Sequence, residues 1–320
     1  MSEATRHEWK RILITGASGL LGGNLIFTMR DRFKVAGTYH LNPIDFDGVD
    51  VQRMNITSLD GVRRFISTFV PDIIIHCAAE TRVDHCEEHP EEAFRVNVEG
   101  TVNLVRSGVQ VGAKMIYIST DAVFEGDQGG YREEDRTHPI NIYAQTKLAG
   151  EQAVQEYCNN YLILRTNIYG WNVRPKLSLA EWILDRLEKS DQKVPAFGDI
   201  FFAPMLVNHL AQIIEQMIQA DLRGLFHIGA RDKCSKLDFA RMICQVFDKQ
   251  VESILPSSSE VMHFKACRPK DTSLDVSKVT NTLGEKMPSV IDGLTDFRKL
   301  LENGYVARLR SRSTGEETRS

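Results

Sequence analysis

Short apolar segments alternate with longer segments of helical periodicity through the first half of the chain. The apolar segments fall at 11–17, 34–40, 71–79, 113–120 and 160–170. Between them, apolar residues recur at helical spacing over 19–33, 58–70 and 91–111, and a charged helix is expected around 141–151. Strands that are apolar along their whole length are typical of a parallel sheet with helices on both faces and right-handed crossovers. The pattern therefore predicts an α/β fold with a doubly wound parallel sheet.

The pattern becomes less regular after residue 170. Helices are predicted near 178–190, 207–220, 235–249 and 290–303, short strands near 200–206 and 224–229, and a loop at 256–260. This mixture indicates a smaller α+β domain over 167–305, with some segments returning to the first domain. Residues 307–320 have almost no apolar content, so a disordered tail is predicted over 306–320.

Composition excludes several classes of protein. The 320 residues are 42% hydrophobic and 26% charged, as in globular proteins. The net charge of −4 provides no basic surface, so nucleic acid is not expected as a partner. No apolar run approaches the roughly 20 residues of a membrane span, and the N-terminus lacks the apolar core of a secretory signal. The six cysteines form no C-x-x-C pair, which favours free thiols in the cytoplasm.

A glycine-rich loop follows the first predicted strand. Gly16, Gly19 and Gly22 recur at three-residue spacing and open the first helix. Glycine lets the chain turn tightly and lets a pyrophosphate approach the N–H groups of a helix N-terminus. An ordinary glycine turn is the alternative, but the strand–turn–helix context favours a dinucleotide. We therefore predict an NAD(P)-binding Rossmann domain over 9–166, with contacts from Gly16, Ser18, Gly19, Leu20, Leu21 and Gly22.

Tyr143 and Lys147 stand four residues apart in "NIYAQTKLAGE". Residues at this spacing are neighbours on any helix, so two solvated side chains and a catalytic pair both explain them. Reduction of a ketone needs a proton for the developing alkoxide, and a phenol with a nearby cation can supply it. Thr120, at the end of a predicted strand, has a hydroxyl that could fix the substrate oxygen.

These features together resemble the extended short-chain dehydrogenase/reductase superfamily, in which a glycine loop of this spacing precedes a Ser/Thr–Tyr–Lys triad. The resemblance implies that Thr120, Tyr143 and Lys147 are catalytic, that Tyr143 and Lys147 also contact the cofactor, and that Lys147 holds its ribose. It implies that Asn97 supports the catalytic region and belongs to the cofactor site. The further cofactor contacts it implies are Asn55, Ile56, Cys77, Ala78, Ala79 and Thr81.

The segments "STDAVFEG", "YREED" and "HPINIYAQTKLAGE" resemble the dTDP-4-dehydrorhamnose reductase family. Its members use NAD(P)H to reduce the 4-keto group of a deoxyhexose carried on a nucleotide diphosphate, and the resemblance extends from Arg11 to about residue 300. Ala122 departs from the family, which usually has a tyrosine there. The related 4,6-dehydratases have a glutamate at this position as the base, so Ala122 argues against dehydration.

The segment "CRPKDTSLD" (267–275) resembles an Arg-Pro-x-Asp element that clamps a nucleotide diphosphate. The resemblance implies that Arg268 binds phosphate and that Asp271 accepts from a ribose hydroxyl. The alternative is that Arg268 is an ordinary surface arginine in a polar loop. Asn167 is expected to border the substrate. With Thr120 and Asp121, these residues are the predicted contacts to a nucleotide-diphosphate sugar.

The identity of the cofactor depends on the end of the second strand. After this strand there is no acidic residue before Asp45 that could hold the ribose of NAD. His40 is the candidate cation for a 2′-phosphate. NADP(H) is therefore favoured over NAD(H). No metal is expected, and the superfamily resemblance implies a homodimer. Two alternatives fit the same triad: a nucleotide-sugar epimerase, and an NADP-binding regulatory subunit similar to the β subunit of methionine adenosyltransferase.

Overall fold

The computed structural model describes residues 9–189 and 193–311. Within these residues the strands are β1 Arg11–Thr15, β2 Lys34–Tyr39, β3 Asp50–Arg53, β4 Ile73–His76, β5 Lys114–Thr120, β6 Tyr161–Thr166, β7 Ile168–Tyr169, β8 Val194–Phe197, β9 Phe201–Phe202, β10 Met205–Leu206, β11 Gly224–Ile228, β12 Cys234–Ser235 and β13 Ile254–Ser257. The α-helices are α1 Leu20–Met29, α2 Leu59–Phe69, α3 Val83–Glu88, α4 Pro90–Phe94, α5 Gly100–Gln110, α6 Ile142–Tyr157, α7 Leu179–Glu188, α8 Val207–Gln219, α9 Lys236–Val246, α10 Ser277–Leu283, α11 Val290–Glu302 and α12 Tyr305–Ser311. A π-helical turn, Arg95–Glu99, joins α4 to α5.

The central sheet of the described chain has seven strands in the order β3-β2-β1-β4-β5-β6-β11. All its neighbouring strands are parallel, which confirms the predicted doubly wound sheet. The winding reverses between β1 and β4, and in such folds ligands bind outside the carboxyl ends of the strands at this point. The strand order thus places a binding crevice beside Thr15 and His76, which are paired in register.

The two faces of the sheet are covered by separate apolar clusters. Ile12 and Ile14 of β1 belong to the larger cluster, which includes α1 and α8, whereas Leu13 belongs to a smaller cluster with α2 and α5. All three side chains are fully buried. Successive residues of a strand point to opposite faces, so this single apolar segment anchors both layers.

The second half of the chain adds small sheets beside the carboxyl edge of the central sheet. β8 pairs with β13, β9 with β12, and β7 with β10. β13 occupies part of the predicted loop at 256–260. β11, although it belongs to the second half of the chain, pairs with β6 in the central sheet. Among the described residues, no helix is both long enough and apolar enough to cross a membrane.

The predicted disorder is wrong for residues 306–311, which belong to α12. Tyr305, Val306 and Leu309 are buried on one face of this short helix, and the Tyr305 hydroxyl donates to Asn24 Oδ1 over 2.8 Å. Three apolar residues at helical spacing are enough to dock the segment on α1, although its overall composition is polar. The remaining part of the predicted tail, 312–320, lies outside the described residues.

Candidate active site

A cleft of about 1630 Å³ lies at the carboxyl ends of the central strands. Residues of both halves of the chain line it, from the glycine loop at one end to α7, α9 and the segment around Arg268 at the other. Pockets for drug-sized ligands have volumes of about 300–1,000 Å³, so this cleft has room for a dinucleotide and a second ligand.

The glycine loop has the geometry that a pyrophosphate site requires. Gly16 has φ +74°, and a Cβ atom there would lie 2.8 Å from the backbone nitrogen of Ala78. A Cβ atom on Gly22 would overlap the Gly16 carbonyl oxygen. Gly19 is the N-cap of α1 and provides no side-chain cap, whereas Ser178 caps α7. The first N–H groups of α1 are therefore left for an anion, and the residues present fit a dinucleotide.

The strand ends next to the loop complete the predicted cofactor surface. The sequence-predicted residues that line the cleft here are Gly16, Ser18, Gly19, Leu20, Leu21, Gly22, Asn55, Ile56, Cys77, Ala78, Ala79 and Thr81. Asn55 Oδ1 accepts from the Thr57 N–H over 3.1 Å, which shapes the turn after β3. Beneath the surface, His76 is hydrogen-bonded with Thr15 over 2.8 Å and with Thr101 over 3.1 Å. Burial lowers the pKa of His76 to about 3, so the ring is neutral and its role is structural.

Thr120, Tyr143 and Lys147 lie together in the middle of the cleft. Tyr143 is in the first turn of α6, which Asn141 caps by accepting from the Ala144 N–H over 2.9 Å. The Asn141 side chain also donates to the Cys267 carbonyl over 2.9 Å, so the cap ties α6 to the segment that carries Arg268. The two hydrogen bonds of Asn141 thus fix the start of α6.

The electrostatics of this group favour a protonated phenol. Burial raises the pKa of Tyr143, and its hydrogen-bond interaction with Thr120 acts in the opposite direction. Burial lowers the pKa of Lys147 to about 7, and its ammonium lies 4.1 Å from the centre of the Tyr117 ring. In this state Tyr143 can act as an acid, while its tuning by Lys147 stays a prediction for the cofactor-bound protein.

Asp121 is the centre of a hydrogen-bond cluster next to Thr120. The side chain is 3% exposed, and burial raises the pKa of its carboxyl. Oδ1 accepts from the Thr120 hydroxyl over 3.2 Å, and Oδ2 accepts from Asn167 over 2.9 Å and from Thr272 over 2.6 Å. Asn167 and Asp121 line the cleft as expected from the sequence. Thr272, which also lines it, was missed because its partner is 151 residues away in the chain.

Arg268 lines the far end of the cleft with one donor atom still unused. Nη2 donates to Asp84 Oδ2 over 2.9 Å, and the guanidinium lies 4.8 Å from the centre of the Phe264 ring. Nη1 is buried and has no hydrogen-bond partner among the described residues. Since an unpaired buried donor is costly, the arrangement suits an anionic ligand that would complete it.

Two sequence-predicted contacts lie outside the cleft lining. Asp271 accepts from the Ser273 hydroxyl over 2.6 Å and from Lys233 over 2.5 Å, so each of its oxygens already has a partner, and the ribose contact stays a prediction. Asn97 is buried in the π-helical turn behind the site. It accepts from the Glu80 N–H over 2.8 Å and donates to the Thr146 hydroxyl over 2.9 Å. It therefore connects the π-helical turn to α6, and it is not among the residues that line the cleft.

One group near the mouth of the cleft has the spacing of metal ligands. Glu80, His85 and Glu92 each place one possible ligand atom within 4.8 Å of the others. The Glu80 carboxylate is already paired with Arg82, whose Nη2 donates to it over 2.7 Å. We assign no metal to this group, since an ion would have to displace that pair.

Comparison with known proteins identifies the family. A family model described as RmlD substrate binding domain matches residues 10–302. The probable low-salt glycan biosynthesis reductase Agl14 of Haloferax volcanii is 32% identical over 286 residues, which cover 88% of this chain and 95% of that protein. Methionine adenosyltransferase 2 subunit beta of Bos taurus is 32% identical over 288 residues, 87% of this chain and 84% of that protein.

A solved structure agrees over nearly the whole chain. The crystal structure of dTDP-4-dehydrorhamnose reductase from Bacillus anthracis in complex with NADP has a TM-score of 0.82 at 32% identity, covering 91% of this chain and 99% of that one. The chain therefore belongs to the RmlD substrate-binding domain family, a family of nicotinamide-dependent oxidoreductases within the extended short-chain dehydrogenase/reductases.

Proposed function

We propose that this protein reduces the 4-keto group of a deoxysugar carried on a nucleotide diphosphate, with NAD(P)H as the reductant and Tyr143 as the proton donor. The observation that carries the proposal is the position of Thr120, Tyr143 and Lys147 in one cleft with the glycine loop. The similarity to a dTDP-4-dehydrorhamnose reductase along most of the chain supports the same class of substrate.

Each residue of the group has a distinct part in the proposed reaction. The bound nicotinamide supplies the hydride to the carbonyl carbon. The Thr120 hydroxyl, turning its proton from Asp121 Oδ1 to the ligand, holds the carbonyl oxygen beside the phenol, and Tyr143 keeps its proton through neutral pH because burial raises its pKa. The phenol then protonates the oxygen as negative charge develops on it. Lys147, a cation below its pKa of about 7, holds the cofactor ribose and stabilises the phenolate that remains.

The far end of the cleft suits the nucleotide diphosphate. Arg268 is fixed by Asp84 and by the Phe264 ring, and its Nη1 is unpaired. Arginine presents donors in a planar fork that matches phosphate oxygens. We therefore assign the diphosphate to Arg268 and the sugar to the corner formed by Thr120 and Asp121.

NADP(H) is the proposed cofactor. His40 is exposed at the end of β2 and lines the cleft, and no acidic residue follows it in the sequence before Asp45 to repel a 2′-phosphate. Arg53 of β3 donates from Nε to the His40 carbonyl over 3.1 Å, which brings a guanidinium to the same strand end. The Bacillus anthracis relative was crystallised with NADP.

A regulatory role is the second candidate, because the similarity to the methionine adenosyltransferase subunit is as high as that to the reductases. Oxidation of NADPH and NADH with dTDP-4-dehydro-6-deoxy-L-mannose separates the candidates. Turnover by the protein alone supports the reductase. Interconversion of sugar isomers with no net cofactor oxidation indicates an epimerase, and tight NADP(H) binding without any turnover favours the regulatory role. The expected homodimer stays a prediction, to be measured by sedimentation.

A further inference from the structure

Lys236 lies in the cleft without a part in the reaction as proposed above. It is the first residue of α9, which Ser235 caps by accepting from the Asp238 N–H over 2.9 Å. Its side chain lines the cleft together with Phe202 and Thr272. The ammonium lies 3.2 Å from the centre of the Phe202 ring, so the aromatic face holds the lysine in this direction.

This is an unfavourable place for a cation. The first turn of a helix carries the positive end of the helix dipole, which favours acidic rather than basic side chains. Burial also lowers the pKa of Lys236 to about 8, although the nearby Asp121 carboxylate acts in the opposite direction. A residue that breaks the local preferences of its element commonly has a functional reason.

The N–H groups of the Lys236 ammonium are available as hydrogen-bond donors. Among residues 9–189 and 193–311, the Lys236 side chain forms a contact to an aromatic ring and no hydrogen bond. The neighbouring Asp121 already accepts from Thr120, Asn167 and Thr272. A protonated lysine has three N–H donors, and these face a cleft whose reacting corner is Thr120. An oxygen-bearing ligand would satisfy them.

We infer that Lys236 recognises the sugar, donating a hydrogen bond to a hydroxyl of the hexose whose carbonyl oxygen Thr120 holds. This inference rests on the proposed function for the class of ligand. It assigns to α9 a substrate contact that acts on affinity for the sugar and leaves the nucleotide contacts to Arg268.

The test is to measure the affinity that the sugar adds to the nucleotide. The NADPH complex of the protein is titrated calorimetrically with dTDP and with dTDP-L-rhamnose, the product of the proposed reaction, which cannot turn over with reduced cofactor. We expect the sugar form to bind more tightly than dTDP. Lys236→Met should reduce this advantage about tenfold, which is the lower range for loss of a charged hydrogen bond, and should leave the affinity for dTDP within about twofold. Lys236→Arg should restore part of it.

Lys278→Met is the control. Lys278 also lies over a phenylalanine ring, 4.7 Å from the centre of Phe226, but it is outside the cleft lining and donates to the Leu225 carbonyl. Unchanged NADPH affinity shows that each variant is folded, and Lys236→Gln replaces Lys236→Met if the latter fails this check. The inference would be overturned if the ratio of the affinity for dTDP-L-rhamnose to that for dTDP were the same in wild type and Lys236→Met. It would also be overturned if wild type bound the two ligands equally well. The proposed function fails separately, if NADPH is not oxidised with the keto sugar, because the affinity comparison needs no turnover.

Discussion

The Thr272 hydroxyl donates a hydrogen bond to Asp121 Oδ2 over 2.6 Å. This bond joins the segment that follows Arg268 to the corner at the end of β5, where the same carboxylate accepts from the Thr120 hydroxyl. The segment that carries Arg268 and the Thr120 hydroxyl are therefore held by one buried carboxylate. Displacement of either segment would change the position of that hydroxyl.

Thr272→Val should destabilise the protein, because it removes a donor to a buried carboxylate while keeping the shape of the side chain. We expect the free energy of unfolding to fall by about 1–3 kcal/mol. Urea denaturation measures it. Thr295→Val is the control, since that exposed hydroxyl bonds only within its own helix, to the Ile291 carbonyl. Equal losses in the two variants would contradict the role of the Asp121 bond.

Gly16→Ala should abolish tight cofactor binding. The new Cβ atom would lie 2.8 Å from the Ala78 nitrogen in a left-handed backbone conformation, so the loop must shift away from its pyrophosphate position. We expect the dissociation constant for NADPH to rise at least about tenfold, measured by fluorescence titration. Gly112 has a similar φ, +75°, with nothing within 4 Å of the added atom. Gly112→Ala should therefore destabilise the fold without changing the affinity, and weakening by both variants would refute the steric argument.

Lys147→Met should stabilise the protein most at acidic pH. Burial lowers the folded-state pKa of Lys147 to about 7 from its ordinary value of 10.5, so the unfolded chain binds more protons between these pH values. Stability conferred by wild-type Lys147 therefore rises with pH through this window. The variant should exceed wild type by about 1–3 kcal/mol near pH 6, and the gap should narrow near pH 9. Denaturation at both pH values tests this, and a constant gap would contradict the lowered pKa.

The features that the sequence predicted correctly are local ones. The strand, glycine turn and helix from Arg11 to Met29 are adjacent in the chain, and periodicity reports them directly. The pair Tyr143 and Lys147 lies on one turn of α6, where spacing fixes proximity. Family resemblance supplied what spacing alone left open, namely that this pair belongs with Thr120.

The features that were missed depend on long-range pairing. Arg53 reaches His40 only because β3 pairs with β2, and a four-residue edge strand carries little periodic signal. Asp271 matched a motif, but the motif gave no sign that the fold would bring Lys233, 38 residues away, to its carboxylate. α12 was assigned to disorder because composition reports an average, whereas docking needs only one apolar face.

His40→Asp should shift the cofactor preference toward NADH. The wild-type strand end has a histidine and a nearby arginine, and no acid follows in the sequence before Asp45, which suits a 2′-phosphate. An aspartate would repel that phosphate and could accept from the ribose of NADH. The ratio of kcat/KM for NADPH over NADH should fall at least about tenfold, a difference of roughly 1.4 kcal/mol. An unchanged ratio would place the 2′-phosphate elsewhere.

The most direct test of the central claim compares Tyr143→Phe with Tyr157→Phe, which removes a hydroxyl at the other end of the same helix. Oxidation of NADPH is followed with dTDP-4-dehydro-6-deoxy-L-mannose, and cofactor affinity is measured on the same samples. We predict that Tyr143→Phe slows turnover by about 10²–10⁴, the usual contribution of a positioned acid, with NADPH affinity within about twofold of wild type and Tyr157→Phe fully active. Turnover by Tyr143→Phe at the wild-type rate would contradict the assignment of Tyr143 as the proton donor.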